Sequence, residues 1–588
     1  MALITKYIRL LGQPFLRHAA FCLFMALLLW ITYDRVHAPM AHPAFYALQF
    51  ALDLYLVCCL FCLLPRRWAF GAKCFFYVVA YMLCVVEAFL YARFYIIYSP
   101  TMLNLAFETN AGEASEFLSV CFKSPKVWPI LLTYGGVAVG NVAVECYGRR
   151  LWLHLCRHFR WIGQGVRSVF GVLTAVLLLW GVVPWCQEKG KMLAFFSLEK
   201  SELTERVSTD VFYSPFYRIV YSLKFIDITR RETHHLIAEM KEVSVDTCSF
   251  LSPNIVIVIG ESYNKHHAQI YGYPMPTTPR MTAMAQRGEL IVFTDAVTPW
   301  NVTSNAFKNF LSTHSTDQQG SWTDGVLFPA IMRKAGYKTA FITNQFYKSA
   351  RQNKADFNGS FFLNDAQADS LCFDYRNTKH YKYDGGFLGE LNGFETGAHN
   401  LILLHLIGQH LEYALRFPES EVYFSPKDYE RKDLDSDALQ VVADYDNATR
   451  YNDKVFARIC DRYRQENVII IYFADHGDEV YDDGIGMYGR NHSADLTPQI
   501  LRGEFEVPMM MWFSPSYRAA HPDIVKSAFA AKDKPFGIDD LPHLVLGLSG
   551  IRCKYYNASR DLLHASYTGR RPRPIKDLVD YNRVMHKP

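Results

Sequence analysis

Five apolar segments crowd the first third of the chain, at about residues 15–34, 45–65, 69–97, 127–147 and 162–185. Each is long enough to cross a hydrocarbon core of about 30 Å as a helix. Lipid offers the backbone no hydrogen-bond partner, so such segments must become helices that satisfy their own peptide groups. A cleaved signal peptide accounts only for the first of them. Lys6, Arg9 and Arg17 precede the first segment, Arg66, Arg67 and Lys73 separate the second and third, and Arg149, Arg150, Arg157 and Arg160 separate the fourth and fifth. Those loops belong in the cytoplasm by the positive-inside rule. An odd number of spans then places everything after about residue 190 on the far side. In a bacterium this is the periplasm or the cell exterior, and the chain reads as a multi-pass membrane protein. Asp53 and Glu87 lie within the second and third segments, where a carboxylate needs a partner or a function. The stretch Thr101 to Phe122 has helical spacing and is expected as an interfacial helix on the far face.

At 588 residues the chain exceeds one ordinary core. The organisation expected is a transmembrane domain over 1–190, a linker with periplasmic helices over 191–248, and a catalytic domain over 249–588. A net charge of +4, without a basic stripe interleaved with aromatics, excludes nucleic-acid binding as the working hypothesis. Ten of the fourteen cysteines fall in the apolar third, where they serve as small apolar packing. Cys248, Cys372, Cys460 and Cys553 are widely spaced and contain no CxxC pair, which argues against a cysteine zinc site. In an oxidising compartment they allow up to two disulfides, with pairing unassigned.

The soluble part repeats one grammar. Ile255-Val256-Ile257-Val258-Ile259-Gly260-Glu261 ends on a carboxylate, Leu401-Ile402-Leu403-Leu404-His405 leads to His410, and Val468-Ile469-Ile470-Ile471-Tyr472-Phe473-Ala474 ends on Asp475-His476-Gly477. Short continuous apolar runs with helical patterns between them predict central strands of a mostly parallel sheet, in a layered α/β/α domain. Ligands gather at the carboxyl ends of such strands, where Glu261, His410, Asp475 and His476 all fall. A carboxylate and an imidazole suit zinc, or manganese if more oxygen ligands join them. Adjacent residues face opposite ways along a strand, so Asp475 and His476 converge only where it breaks, and Gly477 supplies the break. Thr303 opens a predicted helix after Pro299, which puts its hydroxyl at a terminus suited to phosphate. Its simplest role is a plain N-cap, and a neighbouring metal would make it a nucleophile. Ser304 competes for that role. His405 reads as a packed core histidine, and His266-His267 as an exposed helix or loop feature.

Asn254 to Ser262, then Tyr271-Gly272-Tyr273 and Thr277-Thr278-Pro279, resemble the opening of the catalytic domain in bacterial phosphoethanolamine transferases of the alkaline phosphatase and sulfatase superfamily. Ala335-Gly336-Tyr337-Lys338-Thr339 with Thr343-Asn344-Gln345 is similar to that family's next strand and polar turn. Leu404 to His410 with Arg416-Phe417-Pro418 resembles its histidine segment. Tyr445 to Asp453 and Ala474 to Glu479 resemble its metal-ligand segment. The resemblance implies Glu261, Thr303, Asp475 and His476 as ligands of one or two zinc ions, Thr303 as the residue that becomes phosphoethanolaminated, and His410 and His492 near the substrate phosphate or a second zinc. It further implies phosphatidylethanolamine as donor, a lipopolysaccharide-type acceptor and a monomer in the inner membrane. Two departures matter. Trp300-Asn301-Val302 replaces the Cys-Gly approach to the threonine in the best-known branch, and Leu411-Glu412 follows His410 where Gly-Pro is common. Both point toward branches acting on lipopolysaccharide core or other acceptors. A glycerol-phosphate transferase of the lipoteichoic acid type remains the rival enzyme, and a non-catalytic membrane sensor the rival of another class. A sulfatase proper needs a modifiable Cys or Ser in a Cys/Ser-x-Pro-x-Arg context, which is missing at this position.

Overall fold

The computed structural model describes residues 2–36, 43–94, 98, 103, 127–148, 160–195, 214–345, 362–379, 381–490 and 496–585. The expected interfacial helix at Thr101 to Phe122 falls almost wholly outside them. The chain divides into two compact units, Met1–Thr229 and Arg230–Pro588, and the division falls inside the helix Pro215–Lys241.

The first unit is helical. Among the described residues, four helices are long and apolar enough to cross a membrane: Phe45–Leu63, Arg66–Ala92, Val127–Gly148 and Gln164–Gly190. The first expected span has a shorter apolar stretch, Ala19–Tyr33, within the helix Ala19–Val36. Its Phe21 ring meets Phe61 at 5.1 Å and its Thr32 hydroxyl bonds the Tyr134 hydroxyl at 2.7 Å, so it packs with the others. Both carboxylates of the apolar segments have partners. Glu87 accepts from the Arg218 guanidinium and from the Tyr98 amide. Asp53 accepts from Trp185 Nε1 at 2.8 Å, Lys189 Nζ at 3.1 Å and the Tyr217 hydroxyl at 2.8 Å. Tyr217 and Arg218, within the first unit, are thereby held to the apolar helices by charge-assisted hydrogen bonds.

The second unit is built on a seven-stranded sheet. We number the strands β1 (Asn254–Gly260), β2 (Leu290–Phe293), β3 (Lys338–Thr343), β4 (Tyr375–Arg376), β5 (Asn400–His405), β6 (Val468–Ala474) and β7 (Met509–Phe513). Their order is β2-β7-β6-β1-β5-β3-β4, and β7 alone runs antiparallel to its neighbours. β1, β5 and β6 are buried along nearly their whole length, which is why they read as unbroken apolar runs. Tyr472 and Phe473 are consecutive in β6 and so face opposite sides of the sheet. Phe456 of the helix Ser436–Arg462 packs on Tyr472 at 5.2 Å, and Phe310 of the helix Thr303–Leu311 packs on Phe473 at 5.0 Å. The two helices therefore cover opposite faces, completing the α/β/α layering. Each fully buried aromatic or aliphatic side chain in these layers contributes about 1.5–3 kcal/mol.

Register places the chemistry. Gly260 pairs with Ala474, and Ile259 pairs with both Phe473 and His405. Thr343 pairs with His405 on the next strand. Four adjacent strands thus end at one level, so the residues that follow them meet. Cys248, Cys372, Cys460 and Cys553 are all free, and the disulfides allowed by sequence do not form. Cys372 and Cys460 are closed inside the core, where they act as small hydrophobes.

Candidate metal centre and nucleophile

Past β1 and β6 the chain leaves the sheet, with the Asp475 amide donating to the Gly260 carbonyl at 3.0 Å and the Tyr263 amide to the His476 carbonyl at 2.7 Å. The two strand extensions are laced together, which brings Glu261 against Asp475 and His476. At Gly477 the turn is permitted by close approach: its amide donates to the Glu504 carbonyl at 2.8 Å, and a Cβ there would collide with the Gly503 carbonyl. Gly408 closes the other side, with φ +47°, and a Cβ on it would stand 2.8 Å from the Glu261 backbone.

Ligand atoms of Glu261, Asp475 and His476 lie within 4.8 Å of one another, and all three residues are buried. His476 Nε2 is 3.3 Å from Glu261 Oε1 and 3.3 Å from Asp475 Oδ2. His476 Nδ1 lies 2.9 Å from the Gly477 carbonyl. A proton on Nδ1 leaves the Nε2 lone pair pointing into the centre. Burial works against the charge on Glu261, but the imidazoles of His476, His405 and His410 hold it well below the carboxylate range. Asp475 goes the opposite way, pushed well up by burial and by the charge on Glu261. Its Oδ2 has no hydrogen-bond partner among the described residues. Two buried carboxylates facing one imidazole lone pair, with one oxygen orphaned, fit a divalent cation.

Thr303 is the first residue of its helix, with Val302 at the N-cap position. The plain N-cap role is therefore not the one it plays. Its Oγ1 donates to Glu261 Oε2 at 3.1 Å and stands 3.3 Å from His476 Nε2. Ser304 follows it one residue on, and the hydroxyl bonded to the ligand set is that of Thr303. Of the expected site residues the structure brings Glu261, Thr303, Asp475 and His476 together. His410 lies beside them: burial lowers it to about 4, with Glu261 opposing and Arg416, Arg490 and His476 adding to the shift. A neutral imidazole results at pH 7. His492 lies outside the described residues.

Sequence reasoning missed several neighbours. Gln345 Nε2 donates to Glu261 Oε2 at 2.9 Å, so the polar turn after β3 orients a metal ligand. His405 is packed in the core as expected, between the rings of Phe307 and Phe341, and its Nε2 also stands 3.7 Å from Glu261 Oε2. Arg490 Nη1 lies 3.1 Å from His476 Nε2, and Arg490 Nε is 3.6 Å from Asp478. Asp478 is buried and accepts from the Tyr413 hydroxyl at 2.9 Å.

The pair His266-His267 corrects an expectation. His266 is partly exposed and bonds Glu506, but His267 is buried between Asp446 at 2.7 Å and Asp482 at 3.0 Å. Its placement comes from the short 3-10 turn Lys265–His267, capped by Asn264, which directs the second histidine inward. Burial disfavours the imidazolium, yet Asp482 and Asp446 raise it from 6.5 to about 10. A raised folded-state value means the contribution is complete below about pH 6.5 and is lost as pH rises through about 10. Wild-type Tm should fall between pH 7 and pH 10 in a buffer series, and His267→Gln should lack that component. At pH 7 the substitution should cost about 3–5 kcal/mol, read by denaturant melts, because it leaves two carboxylates without their cation.

Residues 253–551, about half the chain, match the sulfatase family, and the chain belongs to that family. Its relatives are more specific. Phosphoethanolamine transferase EptC of Escherichia coli K12 is 27% identical over 492 residues, covering 81% of this chain and 80% of that protein. Kdo(2)-lipid A phosphoethanolamine 7''-transferase of the same organism is 23% identical over 404 residues, covering 62% of this chain and 64% of that protein. Among solved structures, the integral membrane lipooligosaccharide phosphoethanolamine transferase A of Neisseria meningitidis covers 92% of this chain and 98% of its own at TM-score 0.54, with 18% identity. That likeness is one of fold, and it extends through the membrane helices.

Proposed function

We propose that this chain is a zinc-dependent phosphoethanolamine transferase of the bacterial inner membrane, with five spans and its catalytic unit in the periplasm. The donor is phosphatidylethanolamine and the acceptor a hydroxyl or phosphate of lipopolysaccharide. The observation that carries the reading is the Thr303 hydroxyl, 3.1 Å from Glu261 Oε2 and 3.3 Å from His476 Nε2 at a helix start with no cap. The names of the sequence relatives supply the group transferred and the class of acceptor.

A zinc ion held by Glu261, Asp475 and His476 would make the threonine hydroxyl acidic enough to ionise near neutral pH. Thr303 Oγ1 attacks phosphorus, the bond from phosphorus to the diacylglycerol oxygen breaks, and that oxygen takes a proton. The unpaired amides of the first helical turn are suited to stabilise the phosphoryl oxygens. In the second step an acceptor oxygen attacks the same phosphorus, and Thr303 leaves and recovers its proton. His410, neutral at pH 7, is suited to hydrogen-bond a phosphoryl oxygen or relay that proton. Donor and leaving group are both lipids, so membrane anchorage confines enzyme and substrate to one surface.

The test is intact mass of the purified full-length protein after exposure to vesicles of phosphatidylethanolamine or of phosphatidylglycerol, without acceptor. The expected result is one added phosphoethanolamine from the first vesicles and nothing from the second. Added glycerol phosphate from the second would replace this reading with the glycerol-phosphate one.

A further inference from the structure

Beyond residue 551, where the family match ends, the chain folds back on the site. Pro574–Ile575 and Val579–Asp580 form an antiparallel pair. Ile575 and Tyr581 are buried in a cluster with Val297, Leu501 and Phe505. The Lys576 amide donates to the Pro299 carbonyl at 3.0 Å, four residues before Thr303. Lys576 and Asp577 at the turn have φ of +53° and +57°, a left-handed pair with no glycine in it. Two non-glycine residues held there store strain that an ordinary Asn-Gly turn would avoid.

The side chain of Lys576 turns inward. Its Nζ lies 5.7 Å from the Phe505 ring, and Glu504 and Arg490 are its electrostatic neighbours. Glu504 is bound to the site twice: its carboxylate accepts from Asn301 Nδ2, two residues from Thr303, and its carbonyl accepts from Gly477, next to His476. Arg490 reaches the same region from the other loop, with Nη1 3.1 Å from His476 Nε2. When that lone pair binds a metal, the Arg490 donor is free for an anion. Arg490 thus stands at His476, and Lys576, held by its amide to Pro299 ahead of Thr303 and with its Nζ over the Phe505 ring, comes from a separate loop on the side of Glu504.

We infer that Lys576 and Arg490 form an anion subsite that binds a phosphate group of the substrate. The inference rests on the proposed phosphoryl transfer and adds to it a residue beyond the matched region. The anion is either the donor phosphodiester or a phosphate on the acceptor. A strained turn that aims a lysine at a phosphoryl-transfer site is the arrangement expected if the turn is kept for that lysine.

The test uses the full-length, metal-loaded protein and compares Lys576→Gly with Lys576→Arg. Glycine accepts φ +53° without strain, so K576G should melt at or above the wild-type temperature, which separates loss of the side chain from loss of the fold. Inorganic phosphate should raise the wild-type and K576R melting temperatures and bind K576G about 10-fold more weakly or worse. With phosphatidylethanolamine vesicles, adduct formation should slow about 30-fold or more in K576G and recover to within about 5-fold in K576R if the donor phosphodiester is the ligand. If the adduct forms normally and only its discharge to a phosphorylated sugar acceptor slows, with a phosphate-free acceptor unaffected, the ligand is the acceptor phosphate. A K576G protein that binds phosphate like wild type, or performs both half-reactions at the wild-type rate, overturns the inference. A wild type that takes no adduct would sink the donor reading, and the phosphate titration would still judge Lys576.

Discussion

Thr303→Ala should abolish the covalent adduct and lower transfer by about 10⁴-fold or more, the scale expected when a nucleophile is removed outright. Its fold should survive. Thr303 is not at the N-cap position, and among the described residues its hydroxyl contacts Glu261 and His476. Losing it deletes one buried hydrogen bond, worth about 1 kcal/mol in the protein without metal. Intact mass and Tm on the same sample separate chemistry from stability. Thr303→Ser should keep measurable adduct formation, because it retains the oxygen and loses only the methyl that fixes the rotamer. An adduct of undiminished rate on Thr303→Ala would shift the nucleophile to Ser304.

Glu261→Gln should lower metal affinity by about 100-fold or more and remove the adduct with it, a larger effect than that of Gln345→Leu, for which about 10–100-fold is expected. Glu261 accepts from Ser262 Oγ at 2.8 Å, Gln345 Nε2 at 2.9 Å and Thr303 Oγ1, so its carboxylate is the hub of the centre. Stability should fall in both metal states. With metal bound, the variant is less stable than wild type because it binds the ion less tightly. After chelation it stays less stable, since the fold favours the ionised Glu261, which accepts three hydrogen bonds and faces the imidazoles of His476, His405 and His410. Elemental analysis and paired melts with and without chelator read both effects. Full metal occupancy in Glu261→Gln would remove Glu261 from the ligand set.

The uneven legibility of this chain has a physical basis. β1, β5 and β6 were visible because buried strands of a parallel sheet leave continuous apolar runs, and the strands found begin within one residue of the runs predicted. Glu261, Asp475 and His476 were visible because such strands end where ligands collect. The membrane segments were visible as length and composition, although the first, Ala19–Tyr33, is shorter in the structure than the sequence suggested.

What stayed hidden depends on partners far away in the chain. His267 looked like half of an exposed pair, and only a carboxylate from the helix Ser436–Arg462 and another beyond β6 make it an interior cation. Gln345 looked like a turn residue until strand order set it beside Glu261, 84 positions earlier. Asp53 and Glu87 had no visible partners, since Lys189 and Arg218 lie over 130 residues on. Lys576 carried no signal, because a lysine in a polar turn is the commonest of surface features. The sequence by itself determined which segments are buried and where their polar ends fall, because burial of apolar surface imprints a local periodicity. The direction of each side chain and the identity of its partner were decided only by tertiary structure, because register and packing bring together residues that no local pattern relates.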